Sequence, residues 1–522
     1  MRIISNEYKT NIVEYFVNDA AANDYYIFGS TIDSEVILKN TVSDKKEFLN
    51  KTIFGKKVDP DDVFAAIKNY PWQPGTVYTQ YDDTVDLTGK KFYTVVYPED
   101  SNTGSYLIFK CLSNNYDAVS QFPPFYQPLI EDQIYRLADG YLWKFMYSIS
   151  VEEFEKYSSF GYIPINSIVP IFIDSKSISH IQVENPNNNL GYFEYSGVIR
   201  EVNSTEIVIA PDVTSLLEEQ IDYYKDQTLY VSNNFNDSKV YNIIEYSFIQ
   251  STGQGRIKVE NIDGFITGGA KYKILPKINI TGDGVGAVGI PIIESNSIKQ
   301  IVIIEPGSGY NTAFAEVVDP SYFSPNNILT SDERAIIRPI LSFGDGHGMD
   351  VVKELQADAV LFTTRVTPAD ILAETIPATN TYCRIGLVKN PVFASNTAPD
   401  SFDNRIYVEL ETENFFGYNS RVLQRSAITN EITFEAIVHE IGPDGIYLTE
   451  YVGPYPNVEP TNISFDPNLP LRNEQNQINN INTSMPSNYV QRTGEVFYIA
   501  SFAEPISRTI TATEQYKIVL QF

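Results

Sequence analysis

Short runs rich in Ile, Val, Tyr and Phe recur along most of the chain, separated by turns rich in Gly, Asn, Asp and Pro. Runs of this length and composition predict strands, and where apolar and polar residues alternate, as at 515–522, the strand is expected to bury one face. Such runs lie at 25–29, 91–97, 105–112, 141–149, 205–210, 228–232, 300–304, 360–364, 384–388, 405–410, 432–438, 445–451, 495–500 and 515–522. We therefore expect a mixed, mainly β (α+β) fold with a β-sandwich-like core, few short helices and inserted all-β modules.

Only a few segments have the spacing of an amphipathic helix. Residues 9–17 place apolar side chains on one helical face, and 151–157 is long enough for one or two turns. The clearest signal lies at 60–70, where Asp59 is a suitable N-cap and Pro60 suits the first helical position. The buried stripe of this helix would consist of Val63, Phe64, Ile67 and Tyr70.

The segment 139–147 begins with an Asp-Gly turn and then carries an aromatic residue at every second position. These residues are Tyr141, Trp143, Phe145 and Tyr147. Because side chains alternate across a strand, all four rings are expected on one face, buried in the core of the chain or against a partner. Together with Trp72 and Tyr126 they are the candidate packing or interface anchors, and core packing is the commoner role for each ring taken singly.

Changes in composition along the chain predict five segments. They are the N-terminal part of an α+β core (1–175), inserted β-rich modules (176–345), a middle part of the core (346–395), a second β-rich insertion (396–488) and C-terminal core strands (489–522). The end of the second insertion, 453–488, is rich in Pro and Asn and poor in apolar residues. We expect an extended arm or a long loop there.

The chain has 522 residues and a net charge of −28. Sequence-independent binding to DNA or RNA requires Lys and Arg to neutralise phosphates, so we expect no nucleic-acid partner. No apolar run approaches the ~20 residues of a membrane-spanning helix, and we expect no membrane insertion. The 36 Tyr and 30 Phe suit a β-rich core and also suit large surfaces buried in an assembly.

The two cysteines, Cys111 and Cys383, lie far apart within apolar runs. They form neither a disulfide framework nor a metal quartet, and we expect both to be buried and reduced in a protein made in the cytosol. The N-terminus lacks the charged-then-apolar pattern of a secretory signal.

Residues 284–289, Gly-Val-Gly-Ala-Val-Gly, match the dinucleotide-binding fingerprint letter for letter. That site requires a helix directly after the glycines, whose N-terminus holds the pyrophosphate. Here 290–293 is a strand-like run that contains a proline, so we expect a β-hairpin glycine loop. With Pro-Gly-Ser-Gly-Tyr at 306–310, the segment resembles a small β-module that recurs in phage structural proteins.

Other chemically capable groups lack the pattern that a reaction needs. Asp345, His347 and Asp350 are conceivable metal ligands, but a glycine-rich structural loop explains them more simply. The carboxylate pairs at 61/62, 82/83 and 152/153 are adjacent, whereas glycosidase carboxylates face each other across a cleft. We find no nucleophile elbow, His-Glu-x-x-His or P-loop, and expect no enzyme activity, no cofactor and no metal site.

A set of ordered segments resembles the baseplate wedge proteins of T-even-type contractile-tailed phages, the gene-product-eight family. They are the strand 106–112, the aromatic run 139–147, the segment 382–391 (Tyr-Cys-Arg-Ile-Gly-Leu-Val-Lys-Asn-Pro) and the C-terminal segments 493–498 and 515–522. Family members carry similar stretches, such as DGYVWEYLF at the aromatic run. This chain is far longer than the T-even form, and its extra length falls at 176–345 and 396–488.

The resemblance implies a structural subunit that joins neighbouring proteins of the tail baseplate wedge and takes part in the rearrangement preceding sheath contraction. It implies a homodimer within each wedge, other wedge proteins as partners, and a place in the virion after assembly in the host cytoplasm. One alternative is a peripheral virion protein that binds a receptor or glycan through the inserted β-rich regions. Another is a polysaccharide-degrading enzyme, which is supported only by the abundance of carboxylates and aromatic residues.

Overall fold

The computed structural model describes residues 6–31, 42–127, 134–165, 176–213, 215–234, 237–318, 333–342, 347–373, 375–378, 381–395, 397–452, 465–511 and 513–522. The helices among them are α1 (Asn6–Ala22), α2 (Val42–Asn50), α3 (Val151–Tyr157), α4 (Val351–Glu354) and α5 (Pro368–Leu372). In this part of the chain, no helix combines the length and apolarity needed to cross a bilayer.

The strands, in chain order, are β1 (Tyr25–Ser30), β2 (Thr52–Val58), β3 (Val63–Lys68), β4 (Tyr93–Val96), β5 (Tyr106–Ser113), β6 (Ile134–Arg136), β7 (Leu142–Ile149), β8 (Tyr162–Pro164), β9 (Ile178–Val183), β10 (Tyr195–Val202), β11 (Ile207–Pro211), β12 (Thr228–Asn234), β13 (Asp237–Ile249), β14 (Gln254–Val259), β15 (Lys271–Leu275), β16 (Ile278–Gly282), β17 (Val285–Glu294), β18 (Ser297–Ser308), β19 (Ala313–Val317), β20 (Ile337–Leu341), β21 (Ala359–Val366), β22 (Thr381–Lys389), β23 (Ser401–Asp403), β24 (Ile406–Leu410), β25 (Arg421–Arg425), β26 (Ile432–Ile441), β27 (Gly445–Val452), β28 (Leu471–Arg472), β29 (Ile478–Asn479), β30 (Ile481–Met485), β31 (Glu495–Ser507) and β32 (Glu514–Gln521). The expected mainly β fold with few short helices is confirmed, and each run expected to be a strand overlaps one.

The chain divides into two compact units, each built from separate stretches of sequence. Unit 1 comprises Met1–Lys68, Glu152–Asn166 and Gln356–Phe522, and unit 2 comprises Asn69–Val151 and Ser167–Leu355. The five segments expected from composition remain a prediction, because contact-based units and inserted segments are different divisions of a chain.

Two antiparallel sheets of unit 1 pack face to face and form a sandwich-like core. Their strand orders are β23-β2-β1-β22-β31 and β32-β21-β3-β8. On the facing sides, the rings of Tyr25 and Phe362 have centroids 5.3 Å apart, and the Tyr516 ring lies 6.4 Å from both Phe54 and Tyr382. Large rings therefore fill the space between the sheets.

The other face of the five-stranded sheet is covered by α2. Phe48 and Leu49 of this helix join Tyr26, Phe28 and Val388 in one buried cluster. The sheet leaves room for the helix because Gly386 has no side chain: an added Cβ would lie 2.5 Å from Phe48 Cζ.

The helix predicted over 60–70 is wrong. The Asp59 side chain does accept a hydrogen bond from the Asp61 backbone N–H at 3.0 Å, but it caps only a single 3₁₀ turn, Pro60–Asp62. Residues 63–68 then form β3, which lies between β21 and β8. The local capping signal is real, but an apolar run that contains β-branched residues gains more from the centre of a sheet than from a helix.

A seven-stranded sheet, β29-β28-β25-β26-β27-β24-β30, completes unit 1 and encloses its own apolar cluster. Of the expected arm at 453–488, residues 453–464 lie outside the described residues. The rest does not project as an arm, since it supplies β28, β29 and β30. The Gln424 side-chain amide donates to the carbonyls of Asp466 (2.8 Å) and Leu469 (2.7 Å), so buried polar contacts hold a segment poor in apolar residues.

Unit 2 contains a four-stranded sheet, β4-β5-β7-β6, and a closed barrel, β10-β11-β14-β13-β12-β15. The barrel interior is filled mainly by Ile, Leu, Val and Tyr side chains. Two further paired sets, β16-β19 and β20-β9, share one apolar cluster with the β17–β18 hairpin. Closure of the barrel pairs both edges of every strand in it.

The glycine-rich segment 284–289 is not the expected hairpin loop, because residues 285–289 already belong to strand β17; the run that follows continues this strand and is not a helix. Strand β17 pairs with β18, and Ser295 and Asn296 form the tight turn with φ values of 51° and 62°. At the open end, a Cβ added to Gly284 would lie 2.4 Å from the Tyr310 ring. The glycines thus allow the Tyr310 ring to pack against the backbone.

We predict that Gly29→Ala destabilises unit 1 by about 1–3 kcal/mol, the usual range for overpacking. The new Cβ would lie 2.0 Å from Phe54 Cε1, and this ring cannot retreat because it packs on Tyr382 (5.3 Å) and on the Arg508 guanidinium (4.2 Å). Cys383 is buried in unit 1 and Cys111 in unit 2. Thiol labelling at increasing urea concentration can be measured for each cysteine by peptide mass spectrometry. In the variant, Cys383 should become labelled at a lower urea concentration than in the wild type, whereas Cys111 should not change.

The matched control is Gly417→Ala, which also lies in unit 1 and has no atom within 4 Å of an added Cβ. Equal labelling midpoints for the two variants would show that the Phe54 ring adjusts without cost.

Candidate functional site

Five of the six aromatic anchors lie in one cluster of unit 2. Tyr141 and Trp143 are fully buried there, and Trp72, Tyr126 and Phe145 are partly buried against it. The Tyr141 and Trp143 rings stack with centroids 5.4 Å apart, and the Tyr126 ring lies 4.9 Å from Phe145. These positions show the anchors packing within the chain, and the partly buried rings extend the cluster to the surface of the unit.

Tyr147 does not share the face of the other rings. Phe109 lies opposite Phe145, whereas the preceding residue, Ile108, lies opposite Tyr147, so Met146 is the extra residue of a β-bulge. A one-residue bulge reverses the alternation that follows, which places the buried Tyr147 on the opposite side of the sheet. The expected row of four rings is therefore a row of three.

The opposite side of this sheet buries charge. Lys110 of β5 and Lys144 of β7 are register partners, and both are buried. The Lys110 ammonium forms an ion pair with Glu354, lies 2.7 Å from His347 Nδ1, and lies 4.4 Å above the Tyr81 ring. The side chains of Lys110, His347 and Glu354 have no exposed surface.

Glu354 is held as a carboxylate although burial disfavours its charge. Burial raises its pKa, but Lys110 and His347 lower it more, to about 2. Its second oxygen accepts from the Gly348 backbone N–H at 2.5 Å. With no exposed surface and a paired carboxylate, this cluster is built to fix the 347–354 segment against β5 rather than to exchange protons with a substrate.

The two conceivable metal ligands that the structure describes, His347 and Asp350, have different structural roles. Asp345 lies outside the described residues, His347 belongs to the Lys110 cluster, and Asp350 caps α4 by accepting from the Lys353 backbone N–H at 3.0 Å. Over the described residues, no group of three His, Cys, Asp or Glu side chains is placed to hold a metal ion.

The adjacent carboxylates have separate structural contacts. Asp62 lies 2.8 Å from Lys156 Nζ and accepts from the Tyr157 hydroxyl at 2.7 Å. Asp82 forms an ion pair with Arg338 at 2.5 Å. Glu152 and Glu153 begin α3, where negative charge complements the helix dipole.

A second buried charge network lies between the sandwich sheets of unit 1. Arg508 makes a bidentate pair with Glu514, at 3.0 Å from Nε and 2.6 Å from Nη2. The hydroxyls of Tyr382 and Tyr516 are 2.8 Å apart, and Tyr516 also donates to Glu514. Burial raises the pKa of Tyr382 to about 12, which keeps this hydroxyl protonated at neutral pH and makes it a hydrogen-bonding group, not a base.

Exposed apolar side chains concentrate on the segment that follows β11. Val213, Leu216 and Ile221 are 99%, 77% and 72% exposed. The segment is nevertheless fixed, because Leu217 inserts into the barrel core and the Glu218 backbone N–H donates to the Tyr224 hydroxyl at 3.1 Å. An anchored segment that presents apolar side chains to solvent is typical of a protein contact surface.

Sequence reasoning missed both charge networks. A signal was present in β5 and β7, since Lys110 and Lys144 interrupt apolar runs and a buried charge requires a partner. The partner itself was hidden, because Glu354 lies 244 positions from Lys110.

Compared with protein-family models and with curated proteins, the chain matches none.

We predict that Lys110→Met lowers the unfolding free energy of unit 2 by about 3–5 kcal/mol, because it leaves a buried carboxylate without its cation. The double variant Lys110→Met/Glu354→Leu should be more stable than Lys110→Met alone. Both tryptophans of the chain, Trp72 and Trp143, lie in unit 2, so urea unfolding followed by tryptophan fluorescence reports this unit. If the loss of unfolding free energy in the double variant equalled the sum of the losses in the two single variants, Lys110 and Glu354 would not be energetically coupled.

We also predict that Glu354 contributes to acid sensitivity. Its pKa falls from 4.5 to about 2 on folding, so the carboxylate stabilises unit 2 above pH 4.5 and loses this contribution as the pH falls towards 2. The difference in unfolding free energy between the wild type and Glu354→Gln should therefore shrink over this window. Tryptophan fluorescence in urea at several pH values measures it, and a constant difference would rule out the carboxylate as its source.

Proposed function

We propose that this chain is a structural subunit of the tail baseplate wedge of a contractile-tailed phage. The observation that carries the proposal is that segments resembling the gene-product-eight family pair with each other as neighbouring strands, one pair within each unit. Segment 382–391 contributes β22, which pairs with β31 from the C-terminal segment, with Lys389 opposite Glu495 and Leu387 opposite Tyr498. Strand 106–112 pairs with the aromatic run in the same way, as β5 with β7.

The extra length compared with the T-even form also supports the proposal. Residues 195–275 form a closed barrel and 406–485 contribute the seven-stranded sheet, each around its own apolar cluster. A module that has its own hydrophobic core can be inserted into a protein without disturbing the packing of the rest. The family-like segments would then be the scaffold and the modules its additions.

In this proposal the protein works by binding other proteins and not as an enzyme. Its partners are other baseplate wedge proteins and a second copy of itself, within a virion assembled in the host cytoplasm. It has no nucleic-acid partner and no membrane-inserted part. The subunit joins neighbouring wedge proteins and takes part in the rearrangement that precedes sheath contraction, and Val213, Leu216 and Ile221 supply one apolar contact surface.

A peripheral receptor- or glycan-binding protein is the second candidate. The observation in its favour is a pair of polar cavities beside the seven-stranded sheet. A polysaccharide-degrading enzyme gains no support from the adjacent carboxylates, because Asp62 and Asp82 are engaged in ion pairs and Glu152 and Glu153 lie at a helix start.

We predict that the purified chain is a dimer with twice its mass of 58.9 kDa and binds at least one other wedge protein of its phage. Light scattering measures the first property and co-purification the second. The triple change Val213→Ser, Leu216→Ser and Ile221→Ser should weaken one of these associations, whereas Ile428→Ser, at a position 95% exposed in unit 1, should not. A strict monomer that binds no other tail protein would overturn the proposal.

A further inference from the structure

Two cavities flank one loop of the seven-stranded sheet. The loop, residues 415–420, connects β24 to β25, and the cavities have volumes of about 670 Å³ and about 440 Å³. Asn419 and Ile437 line both, so the two cavities border the same loop. Their sizes fall within the range of ~300–1,000 Å³ that is usual for small-ligand sites.

The loop is held in one shape by its own hydrogen bonds. The Asn414 side chain accepts from the Phe416 backbone N–H at 2.8 Å, and the Asn419 backbone N–H donates to the Val438 carbonyl at 2.8 Å. Asn419 has φ 59°, a conformation that favours Asn or Gly. A ligand that binds here would not have to order the loop first.

The larger cavity is lined by uncharged hydrogen-bonding groups. Hydroxyls come from Thr31, Thr381, Thr449 and Ser507, and an amide comes from Asn419. Hydroxyl groups both donate and accept, and an amide offers one of each, so the lining matches a ligand that carries many hydroxyls.

The cations among the described lining residues are already neutralised. Arg508 is bound to Glu514, and burial lowers the pKa of His439 to about 4, which leaves that imidazole neutral at pH 7. Glu440 is bound to Arg405, and Glu450 adds a further carboxyl group. This lining disfavours the binding of phosphate, sulfate and other anionic ligands, because it offers carboxylates and no unpaired cation among the described residues.

The loop also presents an aromatic platform beside the cavities. The Tyr418 side chain is 73% exposed, and Phe415 lies on the other cavity with its ring 4.5 Å from Phe416. An exposed ring next to uncharged polar groups matches the two surfaces of a pyranose, an apolar C–H face and a rim of hydroxyls.

The smaller cavity continues this chemistry. Gln475 lines it with an amide, and Glu474 adds a carboxyl group. Its arginine, Arg421, is bound to Glu435 at 2.7 Å and 2.6 Å. An extended ligand can therefore pass over the 415–420 loop without meeting an unpaired cation among the described lining residues.

We propose that the 415–420 loop and its two flanking cavities bind a neutral oligosaccharide, with one sugar ring stacked on Tyr418 and its hydroxyls bonded to Asn419 and the cavity hydroxyls. The site goes beyond a structural role in a baseplate and does not depend on it. It lies in the region 396–488 and adjacent strands, and not in the barrel.

The test is calorimetric titration of the purified full chain with neutral hexasaccharides of glucose, mannose, galactose and N-acetylglucosamine. Binding of at least one is expected, with affinity lowered about tenfold by Tyr418→Ala, the loss of one aromatic stack. Asn419→Gly should also weaken binding, since glycine keeps φ 59° while the amide is removed. Both positions are on the surface loop, and thermal melting verifies that each variant is folded.

The matched control is Tyr15→Ala, because Tyr15 is 61% exposed on α1 of the same unit and lines neither cavity, so its loss should leave the affinity unchanged. Three results would overturn the proposal. One is the absence of binding at millimolar sugar, or binding that neither loop variant weakens. The others are equal affinity for a sulfated hexasaccharide, and Tyr418-dependent binding of extended peptides in place of sugars.

Discussion

The pairing of β1 with β22 is the constraint on which unit 1 depends. It joins segments at opposite ends of the sequence: the Asp24 backbone N–H donates to Asn390 Oδ1 across 366 positions. All six residues of β1 are buried, because the strand has β2 on one edge, β22 on the other, and packed side chains on both faces. The second sandwich sheet, α2 and the C-terminal strand β31 all take their places relative to this pair.

Buried charge performs the same task in both units. In unit 2 the Lys110–Glu354 pair holds the 347–354 segment against β5, and in unit 1 the Arg508–Glu514 pair bridges the strands at the C-terminal end. Both pairs are completed by hydrogen bonds, which offset the cost of removing the charges from water. Buried charge networks determine which segments pack together more specifically than apolar contacts do. A chain whose sheets combine segments distant in the sequence needs that specificity.

Sequence patterns were informative where the interaction is local. Runs rich in apolar and β-branched residues between turns located the strands, and the 284–289 segment was separated from a nucleotide site by the strand-like run after it. Asp59 was recognised as a cap, yet what followed was decided by β21 and β8, which lie far away in the sequence. The bulge at Met146 depends on the register of β5, so no pattern within 139–147 reveals that Tyr147 turns away. The larger cavity beside 415–420 also includes residues from the strands of another sheet, and sequence alone does not bring these together.

The position of β1 also affects how the protein is made. A ribosome releases the N-terminus first, so β1 and β2 emerge while β22 is still about 350 residues away. The barrel, whose strands all lie within 195–275, is able to close during that interval, because its pairings are local. The edge of β1 that pairs with β22 therefore stays unpaired until late in translation. Truncated chains that end before 381 retain this open edge, and they are the forms of the protein most exposed to aggregation and to capture by chaperones.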